Sequence, residues 1–139
     1  MANWVPYREE SRGPKWQKFK LNYLDFATDN TSNYKDFFTI PSGAVIQAIK
    51  IKHETAFAGG AISAYTIAIG VSGTVAKYSA AFDVFQAVSA TAMQVTGTVG
   101  HESHLASAQL RATATSTTAN LDAATAGSVT IWVLWSRCD

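Results

Sequence analysis

The chain has 139 residues, of which 47% are hydrophobic, 12% aromatic and 15% charged, and its formal net charge is +1. This composition predicts one folded domain, excludes a disordered chain, and carries no overall charge signature of nucleic-acid or membrane binding. Because charged residues usually make up about 25% of a globular protein, we expect part of this sparsely charged surface to be buried against another protein.

Residues 1–16 have neither helical nor strand periodicity, because Pro6, Gly13 and Pro14 interrupt them. The first 20 residues carry a net charge of +3, and the remaining residues sum to −2. We predict an N-terminal arm at 1–16 that docks onto a neighbour, and a single sandwich domain at 17–139. A solvated terminus is the alternative. The predicted partner-binding residues of the arm are Trp4, Tyr7, Arg8, Arg12, Lys15 and Trp16.

The chain lacks the sequence signals of membrane insertion, secretion and disulfide bonding. No apolar run approaches the roughly 20 residues of a membrane helix, and the N-terminal MANWVP lacks the apolar core of a secretion signal. The single cysteine, Cys138, excludes an internal disulfide and a cysteine-based zinc site. We therefore expect folding without covalent cross-links, in a reducing compartment.

The first predicted strand lies within 17–27, where Phe19 and Leu21 alternate with polar residues. Leu24 and Phe26 break this alternation, which predicts a bulge or a strand that is covered on both sides. The Asx- and hydroxyl-rich residues that follow predict a turn before the next strand.

Between residues 36 and 70 the pattern predicts a short strand, a Pro41-Ser42-Gly43 turn, a long strand, a glycine-bearing loop and a further strand. In the long strand, Ile49, Ile51 and His53 fall on one face. The residues on its other face are Lys50, Lys52 and Glu54. We expect His53 to be a hydrogen-bonded residue at the edge of the sheet.

The second half of the chain is less regular. Residues 77–85 fit helix and strand equally, and we predict a loop with at most one helical turn. Ala, Thr and Ser then supply 25 of the 44 residues at 87–130, where strands are predicted at 91–98 and 109–118. The threonine-lined face of the second of these strands tolerates either water or a protein neighbour. A last strand, 128–136, follows the loop that ends at Gly127, and it directs Val129, Ile131, Val133 and Trp135 inward.

Seven or eight strands with frequent turn signals predict an all-β fold, an antiparallel two-sheet β-sandwich. We favour a jelly-roll connectivity. An immunoglobulin-like sandwich is the alternative, and it is weakened by the absence of a cysteine pair.

Two segments contain residue types that bind metals. His101 and His104 flank Glu102 in a run with zinc-ligand chemistry, but their spacing does not place both on one helical face. The Asp29–Asp36 segment is rich in oxygen ligands, but it lacks the glycine and terminal glutamate of a calcium loop. We expect a solvated loop and an Asx turn, with no metal or cofactor.

The sequence contains no nucleophile motif and no glycine-rich phosphate loop, so we expect the protein not to be an enzyme. Aromatic and basic residues in the arm could stack on nucleic acid. The modest positive charge of the chain favours docking to protein instead.

Four short segments carry a resemblance to a known class. They are Ile40-Pro-Ser-Gly-Ala-Val-Ile46, Phe57-Ala-Gly-Gly60, Ile67-Ala-Ile-Gly70 and Gly127-Ser-Val-Thr-Ile-Trp-Val133. Over residues 38–136 the chain resembles small β-sandwich virion proteins of tailed bacteriophages. The resemblance implies a capsid decoration (cement) protein in the virion, made in the host cytoplasm. It also implies a homo-oligomer, with a trimer favoured, that binds capsid or other virion proteins through its arm. The class has no catalytic motif to transfer.

The alternative that the resemblance allows is a tail, neck or fibre component. A fibre-tip protein with receptor or carbohydrate binding would need an exposed Trp or Tyr beside a polar loop residue. Trp132 and Tyr65 are the candidates for that role, although both lie in strand patterns.

Overall fold

The computed structural model of the chain describes residues 15–85, 93–96 and 107–137, with only the backbone described for 93–96. These ranges form eight strands and two 3₁₀ turns, at Tyr23–Asp25 and Leu121–Ala123. The strands are β1 (Lys15–Asn22), β2 (Ser32–Ile40), β3 (Ala44–Ala58), β4 (Ala64–Val71), β5 (Thr74–Asp83), β6 (Met93–Thr96), β7 (Ala108–Thr117) and β8 (Ala126–Arg137).

The strands form two four-stranded sheets, with the orders β1-β8-β3-β6 and β2-β7-β4-β5. Every pairing within them is antiparallel. Among the described strands, only β4 and β5 follow one another in the chain within the same sheet. The predicted all-β, antiparallel two-sheet sandwich is confirmed.

The core lies between the inner faces of the two sheets, where the predicted alternation is confirmed. Ile49 and Ile51 of β3 are 1% exposed, and Ile131 of β8 and Leu110 of β7 are fully buried. Val129 and Val133 are also fully buried, while Trp135 is partly buried against the core. Burying one such aliphatic side chain stabilises the fold by about 1.5–3 kcal/mol.

The predicted turn at Pro41-Ser42-Gly43 joins β2 to β3. The Ala44 amide donates to the Pro41 carbonyl over 3.1 Å, and Gly43 has a φ of 82°. Glycine adopts this left-handed conformation without the steric cost that a Cβ atom would add. The turn, the long strand β3, the glycine-bearing loop and β4 are all confirmed as predicted.

The prediction of a loop at 77–85 is wrong, because most of this segment belongs to β5. Its pairing with β4 shifts register twice, between Ile67 and Ile69 and between Ile69 and Val71. The neighbours Tyr78 and Ser79 are both buried. A strand with such irregularities loses its two-residue period, which is why the hydrophobic pattern did not identify it.

The prediction of a bulge or a doubly covered strand after Leu21 is also wrong. β1 ends at Asn22, whose Oδ1 accepts the Leu24 amide over 2.9 Å. The Asp25 Oδ2 accepts the Asn22 amide over 2.8 Å, which completes a capping box around the 3₁₀ turn. The turn lets the next apolar residue, Phe26, enter the core, where it is fully buried.

The expectation that His53 is a hydrogen-bonded edge residue is wrong. His53 is fully buried and lies in β3, an inner strand of its sheet. Its ring packs edge-on against the Phe82 ring, with the two ring centroids 6.4 Å apart. Neither of its ring nitrogens has a hydrogen-bond partner in the described part of the chain. The reason is its position: His53 shares the inward phase of Ile49 and Ile51, so the strand carries it into the core.

Candidate partner-binding face

Two of the six predicted arm residues lie in the described structure. Lys15 and Trp16 belong to β1 and pair with Trp135 and Leu134 of β8, so the sheet begins two residues before the predicted start of the sandwich domain. Outside the described residues lie Trp4, Tyr7, Arg8, Arg12, His101, His104 and Cys138.

The outer face of the β1-β8-β3-β6 sheet groups lysine and tryptophan side chains from three adjacent strands. Residues directly opposite on neighbouring strands share a face. Lys18 of β1 is opposite Trp132 of β8, which is in turn opposite Lys50 of β3. Thr130 lies in the same way between Lys20 and Lys52. We call this surface the Lys–Trp face, and its residues are Trp16, Lys18, Lys20, Lys50, Lys52 and Trp132.

Lys50 is at the centre of the Lys–Trp face, in contact with both indole rings. Its Nζ lies 5.0 Å from the ring centroid of Trp16 and 5.4 Å from that of Trp132. The Lys18 Nζ lies 6.0 Å from the Trp132 ring. All three distances fall within the range of about 6 Å for cation–π attraction. The rings therefore restrain two ammonium groups, which lowers the entropy lost when a partner binds them.

The Lys–Trp face has an excess of positive charge. Among the described residues, its four lysines are accompanied by one acid on the same strand face, Glu54, which gives a net charge of +3. Glu54 lies 3.8 Å from the Lys52 Nζ and accepts a hydrogen bond from the Thr130 hydroxyl over 3.0 Å. Trp16 remains 48% exposed at the sheet edge. An exposed indole beside uncompensated lysines suits a protein partner that presents carboxylates.

The outer face of the second sheet contains a paired arginine and aspartate. The Arg111 guanidinium donates two hydrogen bonds to the Asp36 carboxylate, over 2.7 and 3.2 Å, and stacks 3.6 Å above the Tyr34 ring. Hydrogen bonding to Asp36 raises the pKa of Arg111. The predicted inward set of β7 is confirmed, since Leu110 and its two alanine neighbours on that face are fully buried. The threonines of β7 therefore lie on the outer face, beside the Arg111–Asp36 pair.

The proposed carbohydrate contacts do not form one site. Tyr65 is fully buried beside Phe57, with the two ring centroids 4.6 Å apart, and burial raises the pKa of its hydroxyl. Tyr65 therefore cannot stack on a bound carbohydrate. Trp132 lies between lysines on the Lys–Trp face.

The described ranges contain neither a cluster of metal-binding side chains nor a membrane-spanning helix. There, no three His, Cys, Asp or Glu side chains are grouped so that they could hold a metal ion. An Asx turn was expected for the Asp29–Asp36 segment, but its residues 32–36 belong to β2, and Asp36 is paired with Arg111. The helices of the described ranges are two 3₁₀ turns of three residues each, which are too short to span a bilayer.

Sequence reasoning placed the lysines of β3 on an outer face but did not find the Lys–Trp face. The missing information was strand order, because β8 comes last in the chain yet lies between β1 and β3. Alternating lysines at 18 and 20 and at 50 and 52 were the available signal.

No protein-family model and no curated protein matches the chain. The solved structures that are similar to it include chains of two phage capsids. A chain of the cyanophage Pam1 capsid asymmetric unit aligns with a TM-score of 0.63 and 18% identity, covering 89% of this chain and 84% of that chain. A chain of the acid-stable capsid of Helicobacter pylori bacteriophage KHP30 aligns with a TM-score of 0.59 and 12% identity, covering 91% of this chain and 90% of that chain. The resemblance to phage virion proteins is therefore confirmed in fold: the chain has a sandwich that phage capsid structures contain.

Proposed function

We propose that this protein is a non-enzymatic structural protein of a bacteriophage virion, and more specifically a capsid decoration (cement) protein. The observation that carries the proposal is the fold likeness, which spans about nine-tenths of this chain and points to chains from two phage capsids. The Lys–Trp face adds a surface suited to protein contacts.

We also infer that the sandwich is a jelly roll. In a jelly roll the chain alternates between two four-stranded sheets, as two Greek keys require. The orders β1-β8-β3-β6 and β2-β7-β4-β5 support this inference, because six of the seven steps between successive described strands change sheet. The β4–β5 hairpin is the exception.

The proposed mechanism is passive clamping of capsid subunits by the arm and the outer faces of the sandwich. Trp4, Tyr7 and Trp16 act as aromatic anchors, since a few buried aromatic residues dominate the affinity of most interfaces. The basic residues of the arm are Arg8, Arg12 and Lys15, and they meet an acidic capsid surface. The position of Lys15 and Trp16 supports this mechanism. Both belong to β1, an edge strand of the sheet that carries the Lys–Trp face, so an arm that precedes them would start beside that face.

The proposal is tested on particles of the phage that encodes the chain. Quantitative mass spectrometry of density-purified virions should find the protein in many copies, at a constant ratio to the major capsid protein. Its absence from purified virions would overturn the proposal. Immunogold labelling then separates the roles: labelling over the head supports decoration, whereas labelling confined to the tail or fibre supports the alternative virion role.

A further inference from the structure

The sandwich has a second surface whose chemistry complements the Lys–Trp face. Leu24, in the first 3₁₀ turn, is 66% exposed, and Asp25 follows it in the same turn. Asp29 lies exposed in the next loop. Asp122, in the second 3₁₀ turn, is held against that loop, because its amide donates to the Thr28 carbonyl over 2.9 Å. We call Leu24, Asp25, Asp29 and Asp122 the acidic end.

The acidic end has a net charge of −3 from its three aspartates. None of the three forms an ion pair with a lysine or arginine of the described ranges. The Asp25 carboxylate accepts only the Asn22 amide within its own turn. The end therefore combines unpaired carboxylates with an exposed leucine, whereas the Lys–Trp face combines excess positive charge with an exposed indole.

We propose that the Lys–Trp face binds the acidic end of a second copy of this chain. Charge selects this arrangement, because two faces (+3 each) repel, two ends (−3 each) repel, and a face attracts an end. Leu24 supplies apolar surface to the indole rings of Trp16 and Trp132. The face and the end of one molecule cannot meet, since both are fixed in the same sandwich. The contact is therefore heterologous, and its repetition gives a closed ring or an open chain.

This inference deepens the proposed function by naming a partner for the Lys–Trp face, and it is tested in solution without virions. If the protein does not self-associate, the proposed virion role is unaffected. If the protein is absent from virions, the proposed contact between copies is unaffected.

Sedimentation velocity over micromolar to millimolar concentrations tests the contact. The wild-type chain should self-associate, and more weakly in about 0.5 M than in about 0.05 M NaCl, since salt screens exposed charges. Lys50→Glu on the face and Asp122→Lys on the end should each raise the dissociation constant by at least about tenfold, because like charges then oppose each other. Lys35→Glu is the matched control: it makes the same charge change on β2 of the other sheet, and should change the constant less than about twofold.

Mixing the two defective variants gives the decisive measurement. The intact end of Lys50→Glu can bind the intact face of Asp122→Lys, so the mixture should associate where each variant alone does not. Circular dichroism of each variant verifies that the fold is retained. The proposal is overturned by a strictly monomeric wild-type chain, by wild-type association of either defective variant, or by a mixture that stays monomeric. Two further results would overturn the proposal by showing that the Lys–Trp face binds something else. One is loss of association when residues 1–14 are removed, and the other is binding of a single-stranded oligonucleotide without self-association.

Discussion

Replacing Gly127 with alanine should destabilise the sandwich strongly, because this glycine lies at the start of β8 against an aromatic ring of the core. A Cβ atom at Gly127 would lie well inside van der Waals contact with the Cγ and Cδ atoms of Phe57. Phe57 is fully buried and packs against Tyr65, so its ring has little room to move. Gly127 also has a φ of 143°, which an alanine rarely adopts.

The two effects can be given separate magnitudes. Left-handed backbone strain costs a non-glycine residue roughly 1–3 kcal/mol. Overpacking a filled core costs about 1–3 kcal/mol more. Gly127→Ala should therefore lower the free energy of unfolding by about 2–6 kcal/mol, a large fraction of the about 5–15 kcal/mol that a domain possesses.

Gly73→Ala is the matched control for the strain component. Gly73 has a φ of 84° in the β4–β5 turn, and a Cβ atom there would meet nothing within 4 Å. Urea denaturation of both variants should show Gly127→Ala to be the less stable by about 1–3 kcal/mol, which is the overpacking cost alone. Equal losses in the two variants would refute the close packing of Phe57 on Gly127.

Three further predictions concern the core, the second sheet and the arm. His53→Leu should raise the free energy of unfolding by about 1–3 kcal/mol in urea denaturation, because it removes two buried nitrogens without partners; a clear loss would show that those nitrogens are satisfied. A double-mutant cycle of Arg111→Met and Asp36→Asn should give a coupling of only about 0.5–1 kcal/mol, since the pair is partly exposed; zero coupling would contradict the bidentate pair. A chain cut to residues 15–139 should unfold at the same urea concentration as the full chain but rebind far more weakly to virions stripped of the protein, and equal rebinding would remove the arm from the mechanism.

The sequence was most informative where strands are regular and long. Alternation predicted the buried face of β3 at Ile49 and Ile51 and that of β8 at 129, 131 and 133, since a two-residue period assigns each side chain to a face. The Pro41-Ser42-Gly43 turn was predictable because proline and glycine restrict the backbone in known ways. The same alternation placed His53 on the buried face, and the preference of histidine for polar surroundings gave the wrong expectation.

Two features depended on information that local patterns lack. The register shifts of β5 come from its pairing with β4, so its own sequence resembles a loop. The Lys–Trp face and the acidic end each combine residues far apart in the chain, such as Lys18 with Lys50 and the 28–29 loop with Asp122. Only the order of strands and the contacts between loops show that these residues are neighbours.

The most direct test of the central claim is a cryo-electron microscopy reconstruction of the virion that contains this protein. The proposed decoration role predicts density for an eight-stranded sandwich on the outside of the head, repeated over the capsid lattice and joined to neighbouring subunits by an extended arm. A head surface without such density, in particles that mass spectrometry shows to contain the protein, would contradict that role.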